Sequence, residues 1–103
     1  MRVNMRKNKT RIYDASEYLK SEKDINAYFE AALEEGDPAL VVHALGNIAK
    51  ARGMTEIAHK SGLRRESLYK ALSPEGNPEF ATVMKVVNAL GMKLHAEYDH
   101  AIA

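Results

Sequence analysis

The chain has no cysteine, which excludes disulfides and thiolate metal sites and is compatible with a reducing compartment. It has no apolar run approaching the length of a membrane span. Its first residues, Met1-Arg2-Val3-Asn4-Met5-Arg6, carry charge with no apolar stretch behind them, so a secretory leader is not expected. The glycine patterns of a P-loop or a dinucleotide fold are missing, as is a serine elbow. His43, His59, His95 and His100 fall in no metal-ligand spacing such as i, i+4 on one helix. No carboxylate pair completes a site around them. The expectation is a soluble, cytoplasmic protein that is not an enzyme, with no metal and no cofactor. At 103 residues it is long enough for one domain with a modest core.

Net charge is also scarce, at +1, but the balance hides a pattern. Residues 1–12 hold Arg2, Arg6, Lys7, Lys9 and Arg11 with no acid, a charge of +5. Residues 14–37 hold eight acids against Lys20 and Lys23, a charge of −6. Residues 50–70 return to +4, through Lys50, Arg52, Lys60, Arg64, Arg65 and Lys70 against Glu56 and Glu66. Basic charge gathered at one tail and one internal stretch is the footprint of a nucleic-acid face. A solvated charged helix would give the same count, so charge alone does not decide.

Apolar spacing divides the rest into helices. A flexible basic arm over residues 1–12 leads to a single domain over residues 13–103. Asp14 with Glu17 three residues on suggests a capped first turn through Tyr18-Leu19. Ser21 reads as the N-cap of a helix striped by Ile25, Tyr28, Phe29, Ala32 and Leu33, which Gly36 stops. Asp37-Pro38 starts the next, with Val41, Ala44, Leu45, Ile48 and Ala49 inward and Gly53 at its end. Asn77-Pro78 is expected to cap the last helix, striped by Phe80, Val83, Met84, Val87 and Leu90 and closed by Gly91. Beyond it Met92, Leu94, Ala96 and Tyr98 alternate with polar residues, the period of a half-buried strand. Such a strand needs a partner, either the segment around Ile12-Tyr13 or a second subunit, and a part in dimerisation is favoured.

Residues 54–72 are the most informative stretch. Ile57, Leu63 and Leu68 would hold two short helices together, Ala58 lets them approach, and Gly62 sits at the turn. That is the spacing of a DNA-binding helix-turn-helix, whose second helix, here from about Arg65 to Leu72, enters the major groove. Leu68 and Ala71 face inward. Arg64, Arg65, Glu66 and Tyr69 are the candidate base readers, since arginine grips guanine bidentately and a carboxylate accepts from cytosine. Thr55, Lys60, Ser67, Lys70 and Asn77 are the candidate phosphate contacts. Arg64 falls at the N-cap, where Ser, Thr, Asp or Asn would stabilise the helix by about 1 kcal/mol and where a cation opposes the helix dipole. A neighbouring phosphate would reverse that penalty.

The residues also resemble a family. Asp14-Ala15-Ser16-Glu17-Tyr18-Leu19, Ala31-Ala32-Leu33-Glu34-Glu35-Gly36-Asp37-Pro38-Ala39-Leu40 and Ile48-Ala49-Lys50-Ala51-Arg52-Gly53-Met54-Thr55 match it. So does the longer Arg65-Glu66-Ser67-Leu68-Tyr69-Lys70-Ala71-Leu72-Ser73-Pro74-Glu75-Gly76-Asn77-Pro78-Glu79-Phe80. Over roughly residues 12–98 the chain is similar to HigA-like antitoxins, the probable addiction-module antidote proteins, within the Xre-type helix-turn-helix family. The resemblance implies an all-α fold of five to six helices, lambda-repressor-like, here with a short C-terminal β-strand. It implies a homodimer that neutralises a RelE/HigB-like toxin and represses their shared operon on double-stranded operator DNA. Arg64 stands where the family usually has Ser, so operator preference is expected to differ and the fold is not. Two other readings compete with it. One is a stand-alone transcriptional repressor with no toxin partner; the other is a protein-binding module whose helix-turn-helix no longer binds DNA.

Overall fold

The computed structural model describes residues 17–99. Five helices follow in order: α1 (Glu22–Glu35), α2 (Pro38–Arg52), α3 (Met54–Ser61), α4 (Arg65–Ala71) and α5 (Phe80–Ala89). The expected arm at residues 1–12, the Asp14 cap and the Ile12-Tyr13 partner segment lie outside the described residues.

Local chemistry sets most of the helix ends. The Ser21 hydroxyl accepts from the Asp24 N–H at 3.0 Å, as the capping pattern predicts. The Asp37 carboxylate accepts from the Ala39 N–H at 3.0 Å, with Pro38 just inside the helix. Gly62 ends α3 in the left-handed region at φ 78°. Its N–H and that of Leu63 turn back to the His59 and Ala58 carbonyls, which satisfies two orphan acceptors and aims the chain into α4.

The helices pack in a definite order. α1 lies on α2, α2 on α3, and α3 on both α4 and α5, with α2 also touching α5. Leu45, Ile48, Leu68, Val86 and Val87 form the fully buried centre. Burying each such side chain stabilises the fold by roughly 1.5–3 kcal/mol before entropy is counted. Leu68 alone ties α4 into that centre, being its single buried residue. Half-buried Tyr28 adds a polar tie between α1 and α2, its hydroxyl accepting from Asn47 Nδ2 at 2.8 Å.

Two glycines matter through closeness rather than torsion. At Gly46, inside α2, a Cβ would stand 3.2 Å from the Leu72 carbonyl oxygen, so α2 and the end of α4 nearly touch. At Gly76 a Cβ would fall 2.3 Å from the Ala71 carbonyl oxygen. The loop after α4 therefore folds back on the helix end, held by Gly76 N–H to Ser73 O at 2.9 Å.

Several expectations are corrected. Asn77-Pro78 does not open α5; the helix starts at Phe80, with Glu79 at the cap and no side-chain cap bond. The fold-back at Gly76 uses up the intervening residues before the chain can turn helical. Phe80 is 70% exposed rather than buried, while Val83 of the same turn packs on the core and Val86 is fully buried. Leu33 is 41% exposed, since eight residues at 3.6 per turn carry it about 80° from Ile25. The expected C-terminal strand is absent: among the described residues no strand occurs, and residues 92–99 are irregular. Met92 and Leu94 pack on the core while Ala96 and Tyr98 are exposed. At Met92 and Leu94 the alternation follows packing against helices, and no strand among the described residues supplies a ladder.

Candidate nucleic-acid interface

Leu68 fixes the orientation of everything on α4. With that side chain buried, the residues one and two positions away on either side must point outward. Arg65, Glu66, Ser67, Tyr69 and Lys70 are all exposed, and Ala71 is half-buried on the inner side. Arg64 occupies the N-cap with extended backbone, φ −70° and ψ 146°, and its side chain makes no capping bond. The position expected from sequence is therefore the position it holds.

The predicted base readers are not independent of one another. Arg65 Nη2 donates to the Tyr69 hydroxyl at 3.3 Å, and its guanidinium carbon lies 5.4 Å from the ring centroid. At an exposed site such a cation–π contact stabilises by about 0.5–1 kcal/mol. That is enough to bias the long arginine side chain toward one orientation along the helix. Glu66 stands beside this pair, and nothing among the described residues ion-pairs with it.

The predicted phosphate contacts divide into two groups. Ser67 and Lys70 share the exposed surface of α4, and Thr55 is exposed in the first turn of α3. Lys60 is already engaged: its Nζ lies 2.8 Å from Glu56 Oε2, one turn back on α3. The hydrogen bond from Lys60, then its charge, hold the Glu56 carboxyl below its ordinary value of 4.5, with Arg52 adding a smaller pull. Asn77 is exposed in the loop and, corrected from the cap position, belongs to no helix.

Sequence reading missed three contributors. The Glu56–Lys60 pair was legible, since Glu four residues before Lys is the favourable order on a helix. Gly46 carried a weaker signal, a glycine inside a helix that costs about 1 kcal/mol against alanine unless close packing requires it. Gly76 gave no signal beyond its place in a turn.

A groove of about 900 Å3 lies between α1 and residues 92–99, away from α4. No three His, Asp or Glu side chains among the described residues are grouped to hold a metal. No helix among them is long and apolar enough to cross a membrane.

A family described as "Probable addiction module antidote protein" matches residues 9–98. A Haemophilus influenzae protein, described as uncharacterized, is 48% identical over 85 residues, covering 82% of this chain and 88% of its own. No solved structure matches the chain.

Proposed function

The chain belongs to the probable addiction module antidote protein family, and from that premise we propose that it neutralises a toxin encoded beside it and represses their shared operon. The family match over residues 9–98 is the observation that carries the antidote half. The toxin is of the RelE/HigB-like class, an mRNA-cleaving ribonuclease, and the two meet in the cytoplasm. The protein acts by binding, and no catalytic role is assigned to it.

The exposed basic surface of α4 supports the DNA half. In this reading α3, the turn at Gly62 and α4 form an Xre-type helix-turn-helix, with α4 in the major groove. Arg64, Arg65, Glu66 and Tyr69 meet base edges. Thr55, Ser67, Lys70 and Asn77 hold phosphates, and Lys60 joins them once its pairing with Glu56 is exchanged for a phosphate. Two copies bind a palindrome, since a homodimer presents two recognition helices one helical turn of DNA apart.

The test is growth of bacteria expressing the neighbouring open reading frame, alone and together with this protein. Toxicity relieved by co-expression, with a complex that co-purifies, is the expected result. A harmless neighbour and no complex would overturn the antidote role. Binding to the operon's promoter would then identify a stand-alone repressor.

A further inference from the structure

α1 keeps two sides apart. Ile25, Phe29 and Ala32 are buried, while Asn26, Glu30, Leu33 and Glu34 line the groove of about 900 Å3 that α1 forms with residues 92–99. These four fall at i, i+4, i+7 and i+8, one stripe of the helix surface. Leu33 is 41% exposed there, and half-buried Met92 and Leu94 line the same groove. Glu30 and Glu34 are exposed like charges one turn apart, an unfavourable pair on a helix. The last turn of α1 also carries no basic residue, although Glu34 and Glu35 stand at the end where the helix dipole favours a cation. On the opposite wall His95 pairs with Glu97 at 3.7 Å and Lys93 is exposed, so the acidic character belongs to α1.

We infer that this groove receives a basic amphipathic helix of the toxin, whose apolar face covers Leu33 and whose cations meet Glu30 and Glu34. An enzyme that cleaves RNA holds a phosphate chain, and it does so with lysine and arginine. Such a partner reverses both penalties on α1 at once, the like-charge pair and the unanswered dipole. An apolar residue rimmed by charged ones is also the anatomy of a protein interface. Because α1 packs on α2 while α4 packs on α3, the toxin and the proposed DNA face use different helices.

This docking rests on the antidote reading above, and its test uses the full chain with the product of the neighbouring open reading frame. The wild-type chain forms a complex. Glu30→Lys with Glu34→Lys weakens it by about tenfold or more, since like charges then face the basic helix. Leu33→Ala weakens it by roughly fivefold. Glu17→Lys with Glu22→Lys makes the same change in net charge outside the groove, and salt screening holds its effect to about twofold. All these side chains are exposed, and circular dichroism checks that the fold is kept. An equal loss from both charge pairs would overturn the groove and leave a diffuse charge effect. Carbodiimide, which joins a carboxylate to an adjacent lysine, should link Glu30 or Glu34 to the toxin. Links confined to Lys7 or Lys9 of the same chain would give the groove to the basic arm, and links confined to a second copy would give it to a dimer. Either result overturns this docking while the antidote reading stands. A wild-type chain that forms no complex would overturn both.

Discussion

Arg65 lies over the ring of Tyr69 one helical turn further along α4, its guanidinium 5.4 Å from the ring centroid and its Nη2 donating to the hydroxyl at 3.3 Å. The pairing makes one exposed arginine less free than its neighbours Arg64 and Lys70. It also couples two residues that sequence spacing treats as separate base readers.

That coupling predicts graded effects on DNA binding. Arg65→Ala is expected to weaken operator affinity by about 1–3 kcal/mol, the value of a good bidentate base contact. Tyr69→Phe keeps the ring and loses only the hydroxyl acceptor, so a smaller loss is expected. Arg65→Lys should resemble the alanine variant more than the wild type, because lysine lacks the planar fork. Fluorescence anisotropy with operator and scrambled duplexes measures all three, and equal binding by Arg65→Ala and wild type would remove the residue from the interface.

Arg64 predicts opposite changes in stability and binding. Arg64→Ser supplies the missing cap and is expected to stabilise the protein by about 1 kcal/mol. The same change removes a cation from the proposed DNA side and should reduce the salt dependence of binding. Urea unfolding and a salt titration read the two effects separately. A serine variant that gains no stability would argue that the N-cap is already satisfied.

The pairing of Glu56 with Lys60 sets a pH effect on α3. Lys60 holds the Glu56 carboxyl below its ordinary value of 4.5. The folded state therefore binds its proton less readily than the unfolded chain. Stability from the pair is present above 4.5 and is lost as pH falls through the lowered folded value. The pair is exposed, so the effect is small and screened by salt. An NMR titration should place the Glu56 midpoint below its ordinary value of 4.5. Glu56→Gln should also release Lys60 and raise affinity for DNA of any sequence.

Leu68 and Gly76 set the place of α4 from inside and from its end. Leu68→Ala removes the helix's buried anchor and is expected to cost about 2–5 kcal/mol. Gly76→Ala would press a methyl into the Ala71 and Lys70 carbonyls, and backbone must move to accept it. Roughly 1–3 kcal/mol of destabilisation is expected there. Thermal denaturation checks both. A Gly76→Ala variant with wild-type stability would show that the loop relaxes away from α4.

Sequence was most legible where a short stretch of chain contains its own cause. Ser21 and Asp37 cap their helices because each side chain reaches an N–H two or three residues away. Gly36, Gly62 and Gly91 end helices because a left-handed residue is needed there. The outward direction of Glu66, Ser67, Tyr69 and Lys70 follows from the inward direction of Leu68, which helical period dictates. What sequence could not contain is the distance between segments far apart in the chain. The near contact of Gly46 with Leu72, the fold-back at Gly76 that delays α5, and the exposure of Phe80 all depend on how close two helices come. The same reason undid the expected C-terminal strand. Alternation at residues 92–98 put Met92 and Leu94 toward the core but failed at Ala96 and Tyr98, which are exposed; a strand is a relation between two segments, and only the tertiary structure decides whether it forms.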